Sequence, residues 1–486
     1  MTSRRAALES RPTGPRRLRP FARPIGCELE STQTDRSRMR DDEDRIVRAG
    51  CGRRIVRSLE ILTRRLLAIA VGAVLPGVPS CSNDVDHGLD RVAVTTSLAD
   101  TPYEVEVKLF RLPGGPRDLN HFTYSLEMGK DGSLYFGVGD NRDNGHLLRY
   151  DPATERIADL GDFRSAMPPG IRDRGNHGKV HVGPHQTNDG SVYVASFPRE
   201  HWEGEQAGRL FRYRESEGIV DLGPTPNDQG AYFMHGDDVH SRLYLATRNS
   251  HFVVYDIGSG SWEDKGRFSS KPPFIGLTDL LGRLYVYGYD GEGDFVPGPS
   301  TITRFDPRSG VLETSKNAPP TLWVGAVTPD HVTAFTTGYR TADLVSWQFA
   351  DWPDFRAVHH GRIDPEGRAI DSNNLSVARD GTLLVLAGTI EAEESGRREN
   401  THGVWVYEIG SGRRYFAANL ADALTDSFGR SAGELRIYWT NADTRDRDGW
   451  IYVGIHTFSG ANPQARLLAL RIHPKERDGT GLGGGG

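Results

Sequence analysis

Four residues have types and an order that would support chemistry together: His181 in "GKVHVGPHQ", His201 in "SFPREHWEGE", Tyr232 in "GAYFMHG" and Arg248 in "LYLATRNS". An imidazole, with an unperturbed pKa of about 6.5, takes up and returns protons near neutrality without large tuning. A phenol beside a cation has its pKa of about 10 lowered, so it serves as a base, or as an acid toward a leaving oxygen. A guanidinium stays charged and grips a carboxylate through two parallel hydrogen bonds. The set suits removal of a weakly acidic proton next to a carboxylate, because neutralising that carboxylate is what makes the proton removable.

These residues need elements that bring them together, and a repeat supplies them. Seven segments share one grammar: "DGSLYFGVG" (131–139), "DGSVYVASF" (189–197), "HSRLYLATR" (240–248), "LGRLYVYGY" (281–289), "PDHVTAFTT" (329–337), "DGTLLVLAG" (380–388) and "DGWIYVGIH" (448–456). Their starts are 58, 51, 41, 48, 51 and 68 residues apart. Each is followed by a partner strand such as "GHLLRYDPATERIADLG" or "SHFVVYDIGSGSWEDKG", and the D-G and G-S-G turns with alternating apolar residues read as antiparallel hairpins. A period near 50 with four strands per unit is that of a β-propeller blade. The expected fold is an all-β, seven-bladed propeller over 103–475.

The last unit ends at "ARLLALRIHP", one outer strand short, while "YEVEVKLFRL" (103–112) is a lone alternating strand ahead of the first blade. The N-terminal strand is therefore expected to complete the last blade and close the ring, which removes exposed strand edges. Residues 82–102 read as a linker and 476–486, a Gly-rich tail, as disordered. With strands A to D running from axis to rim, the start of strand A and the B–C loop open on one face. His181 and Tyr232 begin strands A of blades 2 and 3, His201 lies in the B–C loop of blade 2, and Arg248 ends strand B of blade 3. His121, Arg199, Trp202, Tyr287, Tyr289, Arg340 and Asn374, with Asn120, Tyr339 and His456, fall on the same face and are expected to line a substrate groove, with aromatics for stacking and arginines for binding anions.

The spacing of His181 and His201, with Tyr232 followed sixteen residues later by Arg248, resembles the seven-bladed propeller polysaccharide lyases, especially the ulvan lyases. The resemblance covers roughly residues 100–475. It implies β-elimination on a uronate polymer carried by two histidines, a tyrosine and an arginine of neighbouring blades. The C5 proton is removed and the C4 oxygen expelled. His201 and Tyr232 would be the base and acid pair, and Arg248, helped by His181, would neutralise the carboxylate. No cofactor is required for this chemistry. The resemblance also implies a structural metal ion in some relatives, for which His235, His240 and His251 are candidates, although no ligand spacing here singles one out.

Other metal readings are weaker. His181 and His185 at i and i+4 would sit about 13 Å apart on an extended strand, too far for one ion unless Gly183-Pro184 bends the chain. "DTRDRDG" (443–449) has calcium-like aspartate spacing without the distal Glu of an EF-hand, and turn chemistry accounts for it.

Charge and cysteines set the compartment. Residues 1–65 hold 17 Arg against 9 acidic residues, so the remainder carries 42 basic and 56 acidic side chains, an acidic body that argues against nucleic-acid binding. The three cysteines, Cys27, Cys51 and Cys81, all lie early, so nothing after Cys81 is a thiol. "RRLLAIAVGAVLPGVPSC" has two arginines, a short apolar core and small residues before Cys81, the layout of a secretory signal; "VPSC" resembles a lipobox in which Cys81 would be lipidated. Residues 1–81 thus read as a disordered extension plus a signal or lipoprotein-type segment. The expected location is secreted, periplasmic or cell-surface, with membrane contact only through that anchor. A monomer acting on an acidic polysaccharide is expected. The competing readings are a non-enzymatic propeller that binds a glycan or protein, and a metal-dependent propeller enzyme of the oligogalacturonate-lyase type.

Overall fold

The D-G turns that recur along the sequence each reverse the chain between the first two strands of a sheet. Gly132, Gly190, Gly381 and Gly449, and likewise Gly282 of the Leu281-Gly282 turn, adopt φ of 73–84°, which a side chain disfavours. The aspartate ahead of the glycine gathers the turn. Asp131 accepts from the Ser133 N–H at 2.9 Å and from the Tyr135 hydroxyl at 2.9 Å, which ties turn to strand. The same Tyr–Asp bond recurs from Tyr244 to Asp237 (2.7 Å), Tyr285 to Asp279 (3.1 Å) and Tyr452 to Asp446 (2.7 Å). Burial raises each of these phenol pKa values, Tyr285 to about 12, so all four stay neutral donors. Asp446 belongs to "DTRDRDG", whose described part is a turn of this kind.

The computed structural model describes residues 91–475, except 97, 99, 114–120, 140–143, 173–179, 198–207, 227–229, 271–274, 290–299, 316, 319–323, 339–341, 367–368, 393–398, 421–434, 438–443 and 460–461. They lie in a compact unit spanning Asp86–Gly486. Cys81, the signal-type run and the tail fall outside the described residues.

Seven antiparallel sheets form, six of four strands and one of five. Blade 1 comprises His121–Met128, Leu134–Gly139, Gly145–Asp151 and Arg156–Asp162, and blade 2 His185–Gln186, Val192–Ala195, Arg209–Arg214 and Gly218–Pro224. Blade 3 comprises Ala231–Asp237, Arg242–Thr247, His251–Asp256 and Ser261–Arg267, and blade 4 Gly276–Thr278, Leu284–Tyr289, Ser300–Asp306 and Val311–Ser315. Blade 5 comprises Val324–Val327, Thr333–Thr337, Asp343–Gln348 and Val358–Arg362, and blade 6 Ala369–Val377, Leu383–Ala392, Glu399–Glu408 and Arg414–Asn419. The expected seven-bladed propeller is what forms, and each of the seven repeat segments is the second strand of a blade.

Blade 7 is the closure. Leu435–Ile437, Ile451–Ser459 and Asn462–Pro474 are joined by the N-terminal strand Tyr103–Arg111, paired from Tyr103↔Pro474 to Arg111↔Arg466. A fifth strand, Arg91–Thr96, adds to its outer edge from within the stretch read as a linker. Val105, Val107 and Leu109 are buried in the core shared with blade 6, and Lys108 and Arg471 approach the Trp450 ring at 4.0 and 4.5 Å.

Burial explains the sequence pattern. Second strands such as Leu134–Gly139 and Val192–Ala195 are buried on both faces, because each blade is sandwiched between two others. They read as continuous apolar runs rather than strict alternation. Near the axis, backbones crowd: a Cβ on Gly276 would lie 2.1 Å from the Phe233 ring of the preceding blade. Outer strands carry a D-x-G bulge whose aspartate takes a basic residue from the third strand: His146 on Asp159, Arg209 on Asp221, His251 on Asp264.

Val107→Asp, which places an unpaired carboxylate in the closing strand, is expected to cost more than about 3 kcal/mol. A fall in the thermal midpoint of the full chain checks this, and an unchanged midpoint contradicts it.

Candidate functional site

Tyr232 owes its position to a fault in the ladder. Blade 3 pairs Ala231↔Thr247 and then Phe233↔Ala246, so Tyr232 is the extra residue of a β-bulge, a device that re-aims a side chain. The Arg248 N–H donates to the Gly230 carbonyl at 2.9 Å, which fixes Arg248 beside the same end of the strand. In blade 2, Pro184 cannot donate to a ladder, and the first strand is regular only over His185–Gln186. The sequence reading put His181 at the start of the first strand; it sits instead in the irregular run leading into that strand.

The two broken ladders meet. The His181 and Tyr232 rings lie 5.0 Å apart, and both pack on Phe197, at 4.5 and 4.9 Å. The guanidinium carbon of Arg248 stands 5.8 Å from the same ring. His181 and Tyr232 are enclosed, at 6% and 9% exposure, while Arg248 is exposed. The structure thus brings three of the four residues together from two adjacent blades. His201 lies outside the described residues. The described residues flanking it are held in place. The Ser196 N–H donates to the Arg209 carbonyl at 2.8 Å, the Arg209 N–H to Ser196 Oγ at 3.1 Å, and the Arg209 side chain is paired with Asp221 at 2.8 Å within the protein.

Phe197 escaped the sequence reading, although a signal for it exists. It occupies the ninth position of its repeat segment, the position that carries Arg248, Tyr289 and His456 in other blades. Of the expected groove residues, Tyr287 is buried, 6.2 Å from the Trp347 ring, and Asn374 is buried in the first strand of blade 6. Neither offers a surface to a sugar in this arrangement, because neighbouring blades cover both faces of these strands. His121 begins the first strand of blade 1 and Tyr289 ends the second strand of blade 4, and their side chains fall outside the described residues, as does that of His456. Asn120, Arg199, Trp202, Tyr339 and Arg340 lie outside them entirely.

A second polar cluster sits at the other end of the first strands. His185 Nδ1 is 3.1 Å from Glu127 and its Nε2 3.7 Å from Asp238, which also pairs with Lys130 and accepts from the Asn188 N–H at 3.2 Å. Blades 1, 2 and 3 are thereby stitched together, and a Cβ on Gly236 would lie 1.9 Å from the His185 ring. The three histidines considered for a metal are dispersed: His240 bonds Asp237 at 2.6 Å, His251 bonds Asp264 at the opposite end of blade 3, and His235 lies near His185. Among the described residues no group of three His, Cys, Asp or Glu is arranged to hold a metal ion.

Burial depresses the His235 pKa to about 4. Between an unfolded value of about 6.5 and that folded value, the unfolded chain binds the proton and the native one does not, so stability falls as pH drops through this window. A loss of about 1–3 kcal/mol between pH 7 and pH 4 is expected from this group. Urea unfolding at both pH values, compared with His235→Gln, checks it: the variant should lose less.

No family model matches the chain, and no curated protein does. Solved structures are similar in architecture. A streptogramin B lyase structure has TM-score 0.48 and 11% identity, covering 76% of this chain and 98% of that one. Virginiamycin B lyase from Staphylococcus aureus has TM-score 0.45 and 11% identity, over 76% and 99%. The β-propeller domain of Myceliophteria thermophila Cps50 (Swd1) has TM-score 0.46 and 12% identity, over 73% and 97%. All three are distant likenesses.

Proposed function

We propose that the protein is a polysaccharide lyase that cleaves an acidic, uronate-containing polymer of the ulvan type by β-elimination. The observation that supports this is the meeting of His181 and Tyr232 from neighbouring blades beside the exposed Arg248. On this reading Arg248 binds the uronate carboxylate, with His181 helping to neutralise it, and so acidifies the C5 proton. His201 and Tyr232 act as base and acid. One takes the C5 proton, the C4–O bond breaks, the other returns a proton to the leaving oxygen, and a C4–C5 double bond remains. The step asks for no cofactor.

Such a polymer is met outside the cell, in keeping with the export reading of the run before Cys81, which would leave the enzyme secreted or lipid-anchored and acting as a monomer. The enclosure of His181 and Tyr232 favours the competing reading, a propeller that holds a glycan or protein without chemistry.

Incubating the purified full chain with a panel of uronate polymers separates the two. The lyase reading expects a rise in ultraviolet absorbance from the new double bond. Tight binding with no rise on any polymer would replace it with the binding reading. General acid–base catalysis typically contributes about 10²–10⁴-fold. Tyr232→Phe is expected to lower turnover by that order, and full activity would remove Tyr232 from its role.

A further inference from the structure

We infer that Phe197 is the positioning residue of this site: its ring holds His181, Tyr232 and Arg248 in one arrangement across the junction of blades 2 and 3. The inference deepens the lyase reading and, in its catalytic consequence, rests on it.

Three separate contacts converge on the ring. His181 meets it edge-on, with planes 68° apart and centroids 4.5 Å apart. Tyr232 meets it at 71° and 4.9 Å. Arg248 lies 5.8 Å from its centroid, within cation–π range. Edge-to-face packing fixes orientation as well as distance, since the positive rim of one ring faces the negative face of another. Phe197 is itself immobilised, at 1% exposure, by the core that continues into blades 4 and 5.

His181 precedes the regular part of its strand and Tyr232 sits in a bulge, so regular ladder pairing does not set their orientation. Arg248 follows the last residue of its strand. At 1% exposure the ring is no platform for a sugar, and its contribution is to the other side chains.

Phe197→Leu keeps an apolar side chain and removes the ring, while Phe197→Tyr keeps the ring. In the full chain, Phe197→Leu is expected to lower kcat by about 10–100-fold, as small misplacements at a reacting centre do. KM should stay within about threefold, and the pH profile of kcat/KM should be displaced. Phe197→Tyr should restore kcat and the profile. Wild-type kcat and profile in Phe197→Leu, or a kcat loss matched by the fraction of unfolded chain in a thermal scan, would overturn the inference.

A wild-type chain silent on every polymer would fail the lyase reading instead. The ring's positioning role then stands or falls on the NMR titration of His181, assigned by difference from His181→Gln. A displaced midpoint in Phe197→Leu supports it, and an unchanged one overturns it.

Discussion

The pairing of Tyr103–Arg111 with Asn462–Pro474 is the constraint on which everything else depends. With blade 7 left open, its third strand would present an unpaired edge. The closing strand answers with a ladder running along its whole length and with four side chains, Tyr103, Val105, Val107 and Leu109, buried against blade 6. Polar contacts add direction to it. Glu106 takes the Arg471 guanidinium at 2.6 Å and lies 3.3 Å from His473, and Lys108 bonds Glu155 of blade 1 at 2.8 Å. Of these contacts the Lys108–Glu155 bond joins blade 7 to blade 1, while the others lie within blade 7. Partly exposed ion pairs of this kind contribute little each, so the apolar burial and the backbone ladder carry the closure.

A closed circumference leaves little room at the axis, and the first strands respond in two ways. Where backbones must touch a neighbour's ring, glycine stands, as at Gly276 under Phe233 and Gly236 under His185. Where a side chain is to leave the ladder, the ladder breaks, as at the Tyr232 bulge and the run before His185. Regular pairing would alternate side chains into the two inter-blade cores. The irregular positions are free of that alternation, and the candidate site is assembled from two of them.

Much of the fold was legible in the sequence because the repeat carries its own chemistry. Asp131-Gly132 and its equivalents specify a turn, and in four blades a second-strand tyrosine bonds back to the turn aspartate. The closing strand was visible from the missing outer strand of the last unit. Arg91–Thr96 was not: it pairs with the next strand in sequence, but as a fifth strand outside the four-strand repeat its six residues match no unit that would announce it. The site was legible in part. His181, Tyr232 and Arg248 fell together because strand order fixes which chain ends share a face. Phe197 was passed over because an aromatic at the end of an apolar strand looks like packing, and it is packing. Tyr287 shows the converse: repeat position placed it on the candidate face, yet the second strand is covered on both sides and the ring is enclosed. Burial in a propeller depends on neighbours some 50 residues away, which no local pattern reports.

The enclosure of His181 and Tyr232 beside an exposed Arg248 bears on how such a site would divide its work. A charged polymer is first met by the side chain that reaches solvent, and Arg248 is that side chain among the three. A proton is better moved where water is scarce, because interactions with developing charge weaken in high dielectric. On the proposed reading, then, Arg248 meets the carboxylate at the surface and Tyr232 moves its proton one ring deeper, both in contact with Phe197. That order demands rigidity in the deeper layer, since enclosed groups have no solvent to compensate for misplacement. The ring packing around Phe197 provides it, and the bulge at Tyr232 is the local irregularity that makes the packing reachable from the next blade.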